Sequence, residues 1–239
     1  MLLDKTNIND FNLWLHLANT EGATILIDKE SGWTSFDVVA KIRNLLNIKK
    51  IGHAGTLDPL ATGLLILCLG KATKTIEQFQ NLKKEYIAEV KFGATTRTDD
   101  AEAPEENPQD TSFLNENLIV EKSQLFIGEI LQVPPMFSAK KVQGKKLYEL
   151  ARKNKSVDIP PSKVKIFSIE ILNFSNPFVK LKISCSKGTY IRSLARDLGR
   201  EIGCGAFLSS LRRTKIGDFD VEQALKISDI VNFLNSGKL

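Results

Sequence analysis

The chain has 239 residues, of which 42% are apolar and 26% charged, and its formal net charge is 33 − 28 = +5. This composition supports a packed core and excludes a disordered chain. The longest apolar run, residues 64–69, is shorter than the roughly 20 residues that cross a bilayer, and no signal peptide pattern opens the sequence. We therefore expect a cytoplasmic protein without a membrane partner.

The cysteines argue against a metal site. Cys68, Cys185 and Cys204 are far apart, and His16 and His53 are the only histidines. A zinc site needs about four clustered ligands. The sequence therefore predicts no metal, and free thiols in a reducing compartment.

The first half of the chain alternates between strands and helices. The pattern ATILIDK is typical of a strand over residues 23–29, and the apolar spacing of residues 34–47 predicts a helix that Thr34 or Ser35 can cap. The remaining elements expected here are a glycine-rich loop (51–63), a buried strand (64–70), a short helix (71–80) and a strand (84–93) with Tyr86, Ala88, Val90 and Phe92 on one face.

The second half contains two charged loops. Acidic residues without Lys or Arg predict a surface loop over 98–110, and Pro134-Pro135 predicts an irregular basic loop over 132–146. The regular elements expected here are a helix (115–127), an antiparallel strand pair (163–172 and 179–186), a helix of about residues 190–202 capped by Thr189 and stopped by Gly203, and a last helix (221–235) capped by Asp220 with Gln223. This order predicts an α+β fold with a mixed sheet.

Asp58 lies in the stretch GHAGTLDPLATG, where a charged residue is costly to bury. Three glycines allow a large ligand to approach, and Pro59 stiffens the loop. The chain lacks the P-loop, the nucleophile elbow and the second facing carboxylate of nucleotide-binding, hydrolytic and glycosidic sites. The residues alone leave two interpretations open: a functional carboxylate, or a turn residue bonded to nearby backbone N–H groups.

Five ordered stretches resemble the motifs of the tRNA pseudouridine synthase family that modifies uridine-55 of the T-loop. They are LIDKESGWTSFDVV (26–39), GHAGTLDPLATG (52–63), KEYIAEVKFGATTRTDD (84–100), QVPPMFSAKKVQGKKLYELAR (132–152) and CSKGTYIRSLARDLG (185–199) with AFLSSLRRTKIGDF (206–219). The resemblance implies the pseudouridine synthase fold, a mixed, mostly antiparallel sheet flanked by helices and loops. It also implies a single catalytic domain over residues 1–239, in which residues 1–21 form an extension and residues 132–157 a basic RNA-gripping loop and helix. The C-terminal PUA domain of many relatives is not expected.

The resemblance also implies roles for individual residues. Asp58 is implied to be the catalytic aspartate, and Arg192 to pair with it. Tyr86 is implied to stack on the flipped uracil, with help in proton removal as a second role, and Tyr190 to lie against the same base or its ribose. The other implied substrate-binding residues are Leu211, which closes the apolar side of the pocket, His53, which fills the space left by the base, and Lys29 of the first motif.

The basic loop is implied to grip phosphates of the tRNA T-arm. The residues expected to do so are Lys140, Lys141, Lys145, Lys146 and Arg152. The reaction involves no redox or phosphate chemistry, so no cofactor is expected. We also expect a monomer that needs no obligatory protein partner. Two other interpretations stay open: a non-catalytic RNA-binding or tRNA-folding protein on the same scaffold, and the guide-RNA-dependent ribosomal RNA branch, which the short chain disfavours.

Overall fold

A computed structural model describes residues 1–142, 144–151, 153 and 157–235. Its strands are β1 (Leu2–Leu3), β2 (Ala23–Lys29), β3 (Ile51–His53), β4 (Thr62–Leu69), β5 (Lys84–Phe92), β6 (Gly128–Gln132), β7 (Lys141–Val142), β8 (Lys145–Lys146), β9 (Ser162–Ser175), β10 (Phe178–Cys185), β11 (Ala206–Ile216) and β12 (Phe219–Asp220). Its α-helices are α1 (Phe11–Thr20), α2 (Ser35–Leu46), α3 (Ile76–Asn81), α4 (Glu116–Gln124), α5 (Leu147–Ala151), α6 (Ile191–Ile202) and α7 (Ile227–Asn235). Short 3₁₀ segments cover Ile8–Asp10, Gly70–Thr75 and Val221–Gln223.

The chain divides into two compact units, residues 1–85 with 212–239 and residues 86–211. The first unit is built on a mixed sheet in the order β1-β2-β4-β11, with β3 paired to β4 and β12 to β11. The pairs β1–β2 and β4–β11 are parallel, whereas β2 and β3 run antiparallel to β4. From its second residue onwards β4 is buried throughout, which explains its continuous apolar sequence.

The core of the first unit includes the amino-terminal segment. Phe11 and Trp14 of α1 are fully buried and pack with α2, β2 and β4. The Trp14 Nε1–H donates to the carbonyl of Thr24 (2.9 Å), and the Phe11 ring lies 4.9 Å from that of Phe233 in α7. Removing a buried ring of this size costs about 3–5 kcal/mol. The predicted extension is therefore an integral part of this core.

Two sequence predictions in the first unit are wrong. Residues 51–53 form strand β3 instead of a loop, because Gly52 provides space for Ile76: a Cβ there would lie 2.6 Å from Ile76 Cδ1. The capping box of Asp220 starts only a 3₁₀ turn, and α7 begins later. Its start is delayed because Leu225 pairs with β2 at Ile27.

The second unit has the strand order β11-β5-β10-β9-β6, with β9 antiparallel to both β10 and β6. Alternate residues of β5, from Tyr86 to Phe92, are buried as predicted. Helix α6 is buried throughout its first turn and again at Leu198 and Gly199, and it ends at Gly203, whose φ of 94° gives the left-handed stop expected of glycine. The sheet is mixed and mostly antiparallel, and the chain also forms helices, so the predicted α+β fold class is confirmed.

Three details of the second unit differ from the sequence predictions. The N-cap of α6 is Tyr190, not Thr189, because the Thr189 hydroxyl donates to the Ser186 carbonyl (3.0 Å) instead. The acidic segment is not wholly exposed: Asp100 is completely buried, and its Oδ1 accepts from the Thr98 hydroxyl (2.6 Å). In the basic loop, β7 and β8 form a two-stranded antiparallel hairpin.

Candidate active site

The loop that carries Asp58 is held in place by hydrogen bonds to its backbone. The Ser35 hydroxyl bonds both the N–H (2.8 Å) and the carbonyl (3.1 Å) of Leu57. The Pro59 carbonyl accepts from the N–H of Gly32 (2.9 Å), and the carbonyl of Asp58 accepts from the N–H of Ala61 (3.1 Å). The residues on both sides of Asp58 are therefore held by hydrogen bonds, and Asp58 itself is half-buried.

Lys29 lies beneath this loop and is only 1% exposed. Its ammonium donates to the carbonyls of Glu30 (3.0 Å), Trp33 (2.6 Å) and Pro59 (3.3 Å). Hydrogen bonds from a charged donor are about twice as strong as neutral ones. Lys29, predicted as a substrate-binding residue, thus connects the first motif to the Asp58 loop through the backbone.

Arg213 is a second buried cation of this site that the sequence analysis did not select. Its guanidinium donates to the carbonyls of Leu64 (2.7 Å) and Gly55 (3.1 Å), and the residue is 1% exposed. Gly63 has a φ of 102°, and a Cβ there would lie 2.3 Å from the Arg213 carbonyl oxygen. The last glycine of the motif is therefore required where β4 passes β11.

His53 is the last residue of β3, and its ring makes a T-shaped contact with the Phe36 ring, with the ring centroids 5.2 Å apart and the ring planes at 84°. Burial, followed by the positive charge of Arg213, lowers the pKa of His53 below its usual range. The imidazole is therefore neutral near pH 7, which suits a ring that packs against other rings.

The remaining predicted residues lie in the second unit. Tyr86 is the first residue of β5 that belongs to this unit, and Leu211 is the last residue of β11 that belongs to it. Each of the two residues is 8% exposed. Tyr190 is half-buried at the start of α6. Gln132, 1% exposed at the end of β6, accepts from the Tyr190 N–H (2.8 Å) and donates to its carbonyl (3.1 Å). This two-bond contact, which the sequence analysis did not anticipate, fixes the backbone of Tyr190.

Arg192 connects α6 to two loops. Its guanidinium donates to the carbonyls of Thr98 (3.1 Å) and Phe137 (2.8 Å) and lies 3.4 Å from Asp100 Oδ2. Both ionic side chains are almost fully buried, at 5% and 0% exposed. The predicted pairing of Arg192 with Asp58 joins residues of different units and stays a prediction. Asp100 is a residue that the sequence analysis missed, because the acidic segment was interpreted as solvent-exposed.

Arg196, one turn further along α6, repeats this arrangement. It donates to the carboxylate of Asp99 (2.9 Å) and to the carbonyl of Val133 (2.9 Å), which also accepts from the Ser193 hydroxyl (2.9 Å). Asp99 has a φ of 60°. Burial raises the pKa of Asp99, and the charge of Arg196 opposes that shift. The amino-terminal half of α6 thus fastens the beginning of the basic loop.

The predicted phosphate-binding residues have different surroundings. Lys141 and Lys145 are exposed on the hairpin of β7 and β8, and Lys146 belongs to the same hairpin. Lys140 is half-buried and donates to the Pro160 carbonyl (3.2 Å) and to the Ser162 hydroxyl. Arg152 lies outside the described residues. Within the described ranges, no group of three or more His, Cys, Asp or Glu residues could hold a metal ion.

Comparison with solved structures defines the class of the protein. The chain matches a chain of a Cbf5-Nop10-Gar1 complex with a TM-score of 0.72 and 31% identity over 92% of its own length. It matches a chain of an H/ACA RNP bound to a substrate RNA containing 2'-deoxyuridine with a TM-score of 0.70 and 28% identity over 94% of its own length. The chain spans only 56% and 58% of those two chains. With its mixed sheet and motif loop, the fold is that of the pseudouridine synthases.

Family models and curated relatives identify the particular family. Residues 43–191 match the TruB family pseudouridylate synthase N-terminal domain, and residues 192–237 match the tRNA pseudouridylate synthase B C-terminal domain. The tRNA pseudouridine synthase B of Phocaeicola vulgatus is 47% identical over 92% of this chain and 96% of its own length. That of Flavobacterium johnsoniae is 48% identical over 87% and 94%. The chain belongs to the TruB family of tRNA pseudouridine synthases, which are isomerases. None of the helices in the described part of the chain is long and apolar enough to cross a membrane.

Proposed function

We propose that the chain converts uridine-55 in the T-loop of tRNA to pseudouridine, with Asp58 as the catalytic residue. The observation that carries the proposal is the Asp58 loop. Its backbone is bonded on both sides of the aspartate by Ser35, Gly32 and the two buried cations Lys29 and Arg213. Preorganisation of this kind is what a site needs to act on one atom of a substrate.

The chemistry needs one carboxylate and conserves all atoms. The N1–C1′ bond breaks, the uracil turns, and C5 bonds C1′; the proton at C5 is lost and N1 gains a proton. Three routes are open to Asp58: attack on C1′, electrostatic stabilisation of an oxocarbenium-like centre, or removal of the C2′ proton. None of these steps needs a redox or phosphate-transferring cofactor.

The target base lies inside a folded loop, so it must be flipped out before it can react. Tyr86 and Tyr190 supply aromatic faces for the base, and Leu211 supplies an apolar wall. His53, neutral near pH 7, fills the space that the base leaves. Arg192 pairs with Asp58 and keeps it ionised, and its contact with Asp100 orients the guanidinium.

The basic loop supplies electrostatic affinity for the T-arm. Lys141 and Lys145 are exposed and hold positive charge away from the core, and Lys140, Lys146 and Arg152 complete the proposed set. Affinity should fall steeply as salt rises, because each neutralised phosphate releases counterions. We also propose that residues 1–239 act as one catalytic domain and that the monomer works without a protein partner in the cytoplasm.

The test uses purified protein, an unmodified tRNA transcript and a chelator, followed by chemical mapping of pseudouridine. The expected product carries pseudouridine at position 55, and a transcript with cytidine there stays unmodified. Pseudouridine at another position would contradict the assigned site. An absence of product that a guide RNA or partner protein restores would favour the ribonucleoprotein interpretation instead.

A further inference from the structure

Phe36 is an exposed aromatic residue beside the Asp58 loop. It lies on the first turn of α2 and is 69% exposed, more than any other phenylalanine among the described residues. Burial of apolar surface is favourable by about 25 cal/mol per Å². A binding partner that buried this ring would therefore gain free energy from the contact.

The ring is presented on a fixed backbone. Thr34 and Asp37 form a reciprocal capping box at the start of α2, with the Asp37 N–H bonding the Thr34 hydroxyl (3.0 Å) and the Thr34 N–H bonding the Asp37 carboxylate (2.9 Å). Such a box satisfies two backbone donors and anchors the first turn. Phe36 therefore loses little backbone freedom when it binds a ligand, which favours affinity.

Phe36 is connected to the candidate active site on two sides. Its neighbour Ser35 bonds Leu57, the neighbour of Asp58, in both directions. The Phe36 ring also meets His53 edge to face. The exposed ring thus lies next to the loop that the target uridine must approach.

Exposed cations lie on the same helix as Phe36 and just after it, whereas the carboxylate of the neighbouring Asp37 is bonded within the capping box. Arg43, seven residues further along α2 and on the same face as Phe36, is exposed, and so are Lys49 and Lys50 after the helix. An exposed aromatic ring among cations is the combination that binds single-stranded nucleic acid, with bases on the ring and phosphates on the cations. An apolar protein partner would not need these charges.

We propose that Phe36 stacks on an unpaired base of the tRNA that neighbours the flipped target uridine. The proposal rests on the proposed function, since it requires that the T-loop opens at Asp58. Stacking holds the neighbouring base outside the loop while the target base occupies the site. Phe36 is thereby a substrate-binding residue that acts before the chemical step.

The experiment compares Phe36→Ala, Phe36→Trp and the control Phe113→Ala with the wild type. Phe113 is also exposed (48%), but it precedes α4 and belongs to the other compact unit. Each protein is titrated with tRNA transcripts that carry the fluorescent base 2-aminopurine on either side of the target uridine. The dissociation constant, the quenching and the rate of pseudouridine formation are recorded.

Phe36→Ala should weaken tRNA binding by about tenfold, within the range of one base stacked on an aromatic ring, and should remove the quenching. Phe36→Trp and Phe113→Ala should behave as the wild type. The proposal is overturned if Phe36→Ala binds and quenches as the wild type does, or if Phe113→Ala loses as much affinity. These outcomes are distinct from failure of the proposed function, in which the wild type itself forms no pseudouridine at position 55.

Discussion

The two compact units hold their candidate site residues by different means. In the first, the buried cations of Lys29 and Arg213 donate to backbone carbonyls around Asp58. In the second, two arginines of α6 form ion pairs with carboxylates and donate hydrogen bonds to carbonyls. Hydrogen bonds to backbone carbonyls involve no acceptor that titrates, whereas the Arg196–Asp99 pair, with side chains 21% and 16% exposed, weakens in salt. The Asp58 loop is therefore a fixed scaffold, and the loop that contains Asp99 responds to ionic strength.

The largest effect is expected from Arg213→Met, which removes the cation from the scaffold. Two charge-assisted hydrogen bonds are lost and two carbonyls are left buried, so the free energy of unfolding should fall by about 3–5 kcal/mol. Displacement of the Asp58 loop should lower the single-turnover rate by about 100-fold. Denaturant unfolding and product mapping measure both quantities. Arg200→Met is the control, since Arg200 is 74% exposed; equal losses in both variants would refute the anchoring role.

Gln132→Glu tests how the second unit holds Tyr190. The glutamate cannot donate to the Tyr190 carbonyl, and its charge faces that carbonyl instead. The free energy of unfolding should fall by about 1–3 kcal/mol, and kcat should fall while KM for tRNA changes little. Steady-state kinetics measure the two constants, with the exposed Gln124→Glu as the matched control. A change in KM alone would show that Gln132 contributes to tRNA binding and does not position Tyr190.

A double-mutant cycle on Asp99→Asn and Arg196→Gln tests the partly exposed ion pair between these two residues. The side chains are 16% and 21% exposed, so their coupling should be about 1 kcal/mol and should shrink in high salt. Because burial raises the pKa of Asp99, its ionised form is disfavoured in the folded state. Wild type should therefore gain stability relative to Asp99→Asn as pH falls towards 4; the opposite trend would show that the ion pair outweighs burial.

The smallest effect concerns His53, whose pKa is lowered by burial and by Arg213. The unfolded chain binds the proton more tightly, so the stability due to neutral His53 is present above about pH 6.5 and decreases below it. The limit for one proton is about 1.4 kcal/mol per pH unit. Thermal unfolding between pH 7.5 and 5.5 should show a steeper loss for the wild type than for His53→Gln. Parallel curves would mean that His53 is not buried as described.

Local patterns predicted the elements well where neighbours in sequence determine the structure. Thr34 was one of two predicted caps of α2, and the alternation in β5 and the stop at Gly203 were predicted outright, since each depends on a few adjacent residues. The prediction of a loop at Gly52 was wrong, because this glycine allows close packing against Ile76 and does not form a turn. Glycine alone does not distinguish these two roles.

The supporting contacts of the site could not be predicted in the same way. Arg213 lies 158 positions from Gly55 along the chain, and Gln132 lies 58 positions from Tyr190. Asp100 belongs to an acidic run, and only the fold reveals that this one carboxylate is buried beside an arginine. The motifs identified the loop and its aspartate, whereas the residues that hold them depend on pairing between distant strands.

Asp58→Asn provides the most direct test of the central claim that Asp58 is the catalytic residue of a preformed loop. The substitution keeps the shape of the side chain and removes its charge. The variant should fold normally, bind the tRNA transcript with wild-type affinity, and form no pseudouridine at position 55 in a single-turnover assay. Pseudouridine formation at a rate near that of the wild type would contradict the account.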